Sequence, residues 1–359
     1  MTETPRMPPT RFLLRPCLAE DLSVMENFAE ASAHGLTTLP SDRAALAERI
    51  ERSLQSFSTE DVSGEEIYLF VVEDCATGEV VGTSGIAARA GFSDRFYSYR
   101  NEFVVHRSQA LGASNRIHTL HLCHDLTGFT LLTSFYVDPR YEDSLAAQLL
   151  SRARLLFIAA HADRFSDRIA AESPGLADAS GRCPFWDAVG RRFFGMNYPA
   201  VERLSGGRSK AFIAELMPPS PVYVPLLPEE AQWAIGQLHP VAELPFSILI
   251  DEGFDAETYV DIFDGGPTVQ ERVGMLKTVG RSRTLRVETS AASASLANSA
   301  NGLYIVAVPA LAGFRASILS AAASDSAIRL GAEAAHQLGT TRGDLVQVAA
   351  FDGVGGGSR

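Results

Sequence analysis

An apolar run that ends at Asp-Pro and passes directly into a helical repeat constrains this chain more than any other stretch. Leu131, Leu132, Phe135, Tyr136 and Val137 predict a strand, and Asp138-Pro139 ends it. Over about 143–161, Ala146, Leu149, Leu150, Ala153, Phe157 and Ala160 then fall on one stripe at the i, i+3, i+4, i+7 spacing of a core-facing helix. A strand feeding such a helix reads as a mixed α/β fold. The helix start is also a place for chemistry, because its unpaired N–H groups and positive dipole end attract anions, and glycines there let a phosphate reach the backbone. Here the turn carries Glu142 and Asp143 and no glycine. Carboxylates in that place are expected to cap the free amides and to repel a phosphate.

Composition narrows the class. A chain of 359 residues that is 46% hydrophobic and 21% charged can bury a sizeable core and is expected to form two or three domains. The formal net charge of -12 argues against nucleic acid and anionic membranes as partners and is compatible with a cationic substrate. The first nine residues, Met1 to Pro9, hold no apolar leader, and no run is long enough to span a membrane, so a cytoplasmic protein is expected. Cys17, Cys75, Cys123 and Cys183 are scattered, without the pairs of a disulfide framework or a zinc ribbon.

Elsewhere the order of elements is legible. Residues 12–16 read as a strand, Glu20-Asp21-Leu22 opens a helix to about Ala33, and Leu39-Pro40-Ser41-Asp42-Arg43 signals the cap of a second with Ala45, Leu46, Ile50 and Leu54 inward. Strands at 67–72 and 80–86 form a hairpin through Ala76-Thr77-Gly78. Further strands are expected at 102–106, 118–123, 130–137 and 168–171, and a helix at 184–194 with Phe185, Trp186, Val189 and Phe193 on its apolar face. After Arg283 the chain turns rich in Ser, Ala and Thr, then shows strands at 303–308 and 345–350 and a helix at 332–338 stopped by Gly339. The expected division is 1–283 and 284–359, the second part a small β-barrel or β-sandwich whose closing Gly353–Arg359 tail is flexible by composition.

Several long strings point to one family. Phe96-Tyr97-Ser98-Tyr99-Arg100-Asn101-Glu102, His124-Asp125-Leu126-Thr127-Gly128, Pro184-Phe185-Trp186, Ala214-Glu215-Leu216-Met217-Pro218, Gly236-Gln237-Leu238-His239-Pro240 and Tyr259-Val260-Asp261-Ile262-Phe263-Asp264-Gly265-Gly266-Pro267-Thr268 occur in order. Over roughly residues 12–283 the chain resembles the arginine N-succinyltransferase family, and its βααββ opening is similar to acyltransferases of the GNAT type. The resemblance implies an α/β (α+β), GNAT-like acyltransferase fold with a small C-terminal β-barrel. It implies transfer of a succinyl group from succinyl-CoA, a co-substrate rather than a tightly bound cofactor, to the α-amine of L-arginine or L-ornithine in arginine catabolism. The family's Gly-Asn-Gly falls where Leu145-Ala146-Ala147 stands here, a departure similar to the α chains of two-subunit members. That implies a homologous β subunit as partner in a hetero-oligomer. The other reading is a non-catalytic partner that stabilises a catalytic β chain. By the same resemblance His239 is the proton donor and Phe135 lies at the succinyl-CoA contact.

Taken by their chemistry, these residues have two readings each. An imidazole titrating near neutral pH can take a proton from an attacking ammonium and return one to a thiolate; alternatively His239 caps or packs the loop before Pro240. Phe135 leads into Asp138-Pro139, where splayed strands offer backbone groups to a pantetheine, or it is a plain core phenylalanine. Alternation along 118–125 puts His118 and His124 on one face and His121, Cys123 and Asp125 on the other; no metal site is expected, since acylation needs none. Asp125, Asp261 and Asp264 are candidates to receive a guanidinium, which prefers carboxylates, while Asp264 equally suits a brace for the Gly265-Gly266-Pro267 turn.

Overall fold

The computed structural model describes residues 11–32, 39–205, 215–217, 219–289 and 301–352. The chain opens with β1 (Phe12–Pro16), α1 (Leu22–Ala31), α2 (Arg43–Ser58), β2 (Ile67–Asp74) and β3 (Glu79–Ala87), in the order the sequence predicts. The expected cap of α2 is present, with the Asp42 side chain accepting from the Ala45 amide at 2.8 Å. A long hairpin of β4 (Ser98–Ser108) and β5 (Ala113–Cys123) precedes β6 (Thr130–Val137), α3 (Leu145–Ala160) and β7 (Arg168–Glu172). Short elements follow: α4 (Pro184–Ala188), α5 (Gly190–Phe194), α6 (Tyr198–Ser205), β8 (Val222–Tyr223), α7 (Glu229–Ala234), α8 (Glu243–Glu252), β9 (Asp255–Val260), β10 (Pro267–Arg272) and α9 (Lys277–Gly280). The C-terminal part holds β11 (Arg283–Thr289), β12 (Asn301–Val308), β13 (Arg315–Ala323), β14 (Ala327–Leu330), α10 (Ala332–Leu338) and β15 (Leu345–Ala350).

The main sheet runs β1-β2-β3-β6-β7-β10-β9-β4-β5-β8, and within it only β6 and β7 pair in parallel. Alternation along β2 assigns its two faces. Leu69 and Val71 meet Met25, Phe28, Leu46 and Ile50 of α1 and α2, whereas Tyr68, Phe70 and Val72 meet Leu149, Leu150 and Phe157 of α3. The C-terminal strands close in the order β12-β15-β11-β14-β13, with β13 returning to β12, so among the described residues they form a five-stranded barrel rather than a sandwich. It joins the sheet where Leu14 of β1 pairs with Ala316 of β13. Leu285, Val287, Val306, Ile328, Leu338 and Val346 fill its interior, while Ile305, Phe314 and Phe351 face outward onto α3. The Phe157 and Phe314 rings meet edge-on with centroids 5.0 Å apart.

That contact corrects the single-stripe reading of α3. With the sheet on one side and the barrel on the other, every residue from Ala146 to Ile158 is buried, including Gln148, Ser151, Arg152 and Arg154. The helix expected at 184–194 is two helices. Val189 (φ -111°, ψ -77°) breaks the run, and a Cβ on Gly190 would come within 2.1 Å of the Trp186 ring, so only glycine lets the next turn approach. Phe193 is exposed rather than apolar-face; Phe194 packs on Trp186 instead. Residues 33, 214, 218, 290–300 and 353–359, including most of the Ser- and Ala-rich stretch and the closing glycine tail, lie outside the described residues. Among the described residues no helix is long and apolar enough to cross a membrane.

Candidate active site

The parallel pair β6–β7 opens partway along its length. Pairing runs from Thr130 with Ile169 to Leu132 with Ala171, after which β6 continues alone on that edge to Val137. On its other edge β6 bulges against β3, the register shifting between Thr83, opposite Tyr136, and Gly85, opposite Thr133. Ser134 takes φ 55°, the left-handed region that L side chains other than Asn and Asp rarely occupy. Two arginines converge on the bulge. Arg49 Nη2 donates to Ser134 Oγ at 3.0 Å, and Arg154 Nη1 donates to Gly85 O at 3.3 Å. Phe135, next in the chain, is half-buried, and the Arg154 guanidinium lies 5.6 Å from its ring centroid.

The opposite wall of the opening is a loop cluster at the end of β7. Ser173 N–H donates to Pro267 O (3.0 Å), His239 N–H to Pro174 O (2.9 Å) and Gly236 N–H to Gly265 O (2.8 Å). Asp264 is buried, accepting from the Gly175 and Gly266 amides at 2.8 Å each and from the Tyr198 hydroxyl at 3.4 Å. Asp261, also buried, accepts from the Phe263 amide at 2.6 Å and the Asp264 amide at 3.2 Å. Both carboxylates thus brace the turn that holds the His239 loop.

His239 is half-buried, and its Nδ1 accepts from the Val241 amide at 3.4 Å, so the ring does cap the turn before α8. That contact puts the proton of the neutral ring on Nε2, which has no hydrogen-bond partner among the described residues. Burial lowers its pKa from 6.5. A cleft of about 610 Å³ lies beside this loop, lined by Glu142, Pro240, Val241, Glu243, Leu244 and Ser247. Its far lip is the turn before α3. There Asp138 accepts from the Arg140 amide at 2.9 Å, and the α3 cap is Ser144, accepting from the Ala146 amide at 3.2 Å. Glu142 and Asp143 are exposed and cap nothing, contrary to the capping expected of them; they follow the short turn over Pro139–Tyr141 and precede the cap position, which Ser144 fills.

Asp125 leaves the end of β5 and accepts from Arg100 Nη1 at 2.6 Å and the Tyr259 hydroxyl at 3.2 Å, so an internal guanidinium already occupies it. His118 bonds Asn101 at 3.2 Å and stacks on Phe103, and His121 faces Glu102 at 3.4 Å. Among the described residues no group of three or more His, Cys, Asp or Glu is placed to hold a metal ion. Sequence reasoning overlooked Arg49, Arg154 and the Ser134 bulge. The available signal was an arginine at 154 inside an otherwise apolar helix.

Comparison with known proteins places this geometry. The sequence profile of the family described as "Arginine N-succinyltransferase beta subunit" matches residues 12–278. Arginine N-succinyltransferase subunit alpha of Pseudomonas aeruginosa is 46% identical over 340 residues, covering 94% of this chain and 99% of its own. Arginine N-succinyltransferase of Yersinia pestis is 39% identical over 337 residues, covering 93% of this chain and 96% of its own. The solved structure of arginine/ornithine succinyltransferase subunit AI from Pseudomonas aeruginosa superimposes with a TM-score of 0.84 at 44% identity, covering 95% of this chain and 99% of that one. On sequence and fold together, the chain belongs to the arginine N-succinyltransferase family.

Proposed function

We propose that this chain is the α subunit of an arginine/ornithine N-succinyltransferase, carrying a succinyl group from succinyl-CoA to the α-amine of L-arginine or L-ornithine. The observation that carries the reading is the His239 loop, hydrogen-bonded to the end of β7 where β6 and β7 part, with a cleft of about 610 Å³ at its side. In the reaction an N–C bond forms and the C–S bond breaks; the ammonium gives up two protons, one ending on the CoA sulfur and one in solvent. His239 is the titratable group we assign to the proton that reaches sulfur. The backbone edge of β6 beside Phe135, left without a strand partner on the β7 side, is where the pantetheine amides would pair. Of the three aspartates, Asp125 is the one whose exposure supports a substrate contact; the backbone bonds of Asp261 and Asp264 support a bracing role. We assign acyl transfer to residues 1–283 and a supporting barrel to 284–359, in a cytoplasmic hetero-oligomer.

A second reading, a partner subunit that does not itself turn over, is favoured by the acidic lip. Glu142 and Glu243 both line the cleft, and Asp143 stands beside Glu142, where a phosphate-bearing ligand would meet like charge. Co-expression with a homologous β chain and assay of each chain alone and together separates the two. The first reading expects succinyl transfer that His239→Ala in this chain lowers by about 10²–10⁴-fold; transfer indifferent to that substitution supports the second.

A further inference from the structure

Arg154 and Arg49 reach the β6 bulge from opposite faces of the sheet. Arg154, on α3, is 3% exposed; its Nη1 donates to Gly85 O (3.3 Å) and Thr133 O (3.5 Å), and its Nε and Nη2 reach only Ser151 at 3.4 Å. Arg49, on α2, donates to Ser134 Oγ (3.0 Å) and Thr133 Oγ1 (3.4 Å). Among the described residues no carboxylate contacts Arg154.

Two residues earlier on the same helix, Arg152 is a buried guanidinium that the fold matches with acids. It is 5% exposed and is met by Gln148 Oε1 at 3.0 Å, by Asp251 at 2.5 Å and by the fully buried Glu252. Arg154 has no such compensation. Three carbonyls and a hydroxyl are all neutral acceptors, so none of them offsets the charge, and a buried charge without an acid is costly to hold. Burial pushes the Arg154 pKa down to about 9, which still leaves the group protonated at neutral pH. A full positive charge that packing does not need and no internal acid matches is suited to an anionic ligand.

We propose that Arg154 and Arg49 form a carboxylate-recognition subsite at the β6 bulge, selecting an acyl donor that carries a terminal carboxylate over one that is neutral. The inference rests on the acyl-transfer reading above and adds the reason for its acyl specificity. The thioester end would lie along the open edge of β6 at Ser134 and Phe135, and a dicarboxylic acyl group sets its second carboxylate into the field of both guanidiniums, whereas an acetyl group offers nothing to them.

The test is the donor preference of the assembled enzyme, kcat/KM for succinyl-CoA against acetyl-CoA. Arg154→Met and Arg49→Gln should each lower kcat/KM for succinyl-CoA on the order of 10²-fold and leave that for acetyl-CoA within about threefold, while Arg154→Lys and Arg49→Lys keep most of the preference. Arg154→Met also removes donors from two buried carbonyls and can fail to fold. Arg49→Gln removes the charge and keeps an amide donor on a half-buried position, so it carries the same ratio test. An equal loss with both donors, or an unchanged ratio, overturns the subsite. If the wild-type assembly transfers no acyl group, or His239→Ala changes nothing, the acyl-transfer reading itself falls and the subsite with it; a His239-dependent enzyme with an unchanged ratio sinks the subsite alone.

Discussion

The bulge at Ser134 and the turn from Asp138 to Ser144 lie at two ends of one short stretch of chain and carry opposite charge. At the bulge two guanidiniums converge without an acid on Arg154; at the turn Glu142 and Asp143 are exposed, with Glu243 on the same cleft. A chain of net charge -12 thus concentrates positive charge where an acyl group would sit and negative charge where cofactor phosphates would approach a helix start. The contrast teaches that the two halves of a donor site can be kept separately. The proposed acyl end is built into the sheet, where changing it would disturb packing on both faces. The turn that phosphates would approach is exposed and can change sign without disturbing the core.

The largest expected effect lies between these two regions. His239→Ala should reduce turnover of the assembly by about 10²–10⁴-fold with folding intact, the range for a lost general acid–base, as measured by steady-state rates alongside a thermal melt. An unchanged rate removes the ring from the chemistry. The pH behaviour has a definite sign: burial holds the folded pKa below 6.5, so the stability linked to this ring is complete above the unfolded value and is lost as pH falls through the folded one. An NMR titration midpoint above 6.5 would contradict the burial account.

Next comes the control for the bulge. Glu252→Ala strips the buried partner from Arg152 and the acceptor from the Thr278 amide and hydroxyl (2.7 Å each), so chemical denaturation should show a loss of about 3–5 kcal/mol. A loss below about 1 kcal/mol would mean that Asp251 and Gln148 hold the buried Arg152 without Glu252, and the contrast with Arg154 would rest on Asp251 alone. Smallest is the turn. Glu142→Gly with Asp143→Lys should strengthen succinyl-CoA binding to the isolated chain, by up to about thirtyfold at low ionic strength and less in salt. Because Ser144, not either acid, caps α3, the substitution leaves the helix cap in place. Tight binding by the unmodified chain, insensitive to salt, would show that the phosphates are held away from this turn.

Much of this was legible locally. The hairpin of β2 and β3, the cap at Asp42, the bounds of β6 and the helix stop at Gly339 all follow from alternation, helical periodicity or a left-handed residue at φ 68°, which are properties of a few neighbouring residues. His239 was singled out by its string, and its loop does sit at the opening of β6 and β7. Other elements were missed for identifiable reasons. β13 (Arg315–Ala323) is rich in Ala and Ser, which carry little strand preference, and it forms because β1, β12 and β14 are there to pair with it. Glu142 and Asp143 looked like caps because sequence spacing does not reveal that the helix starts only after Ser144, which takes the cap position.

By itself, then, the sequence determined the order of strands and helices, the strand-to-helix passage at Asp138 and the family to which the chain belongs, because periodicity, caps and long matching strings are read along the chain. Only the tertiary structure decided that the C-terminal strands close into a barrel, that α3 is buried on all sides and that Arg49 and Arg154 both reach the β6 bulge. Each of these depends on which distant surface covers a given face. An arginine on a helix has the same local pattern whether water, a carboxylate or an empty strand edge lies opposite, and only the packed sheet and barrel settle which it is.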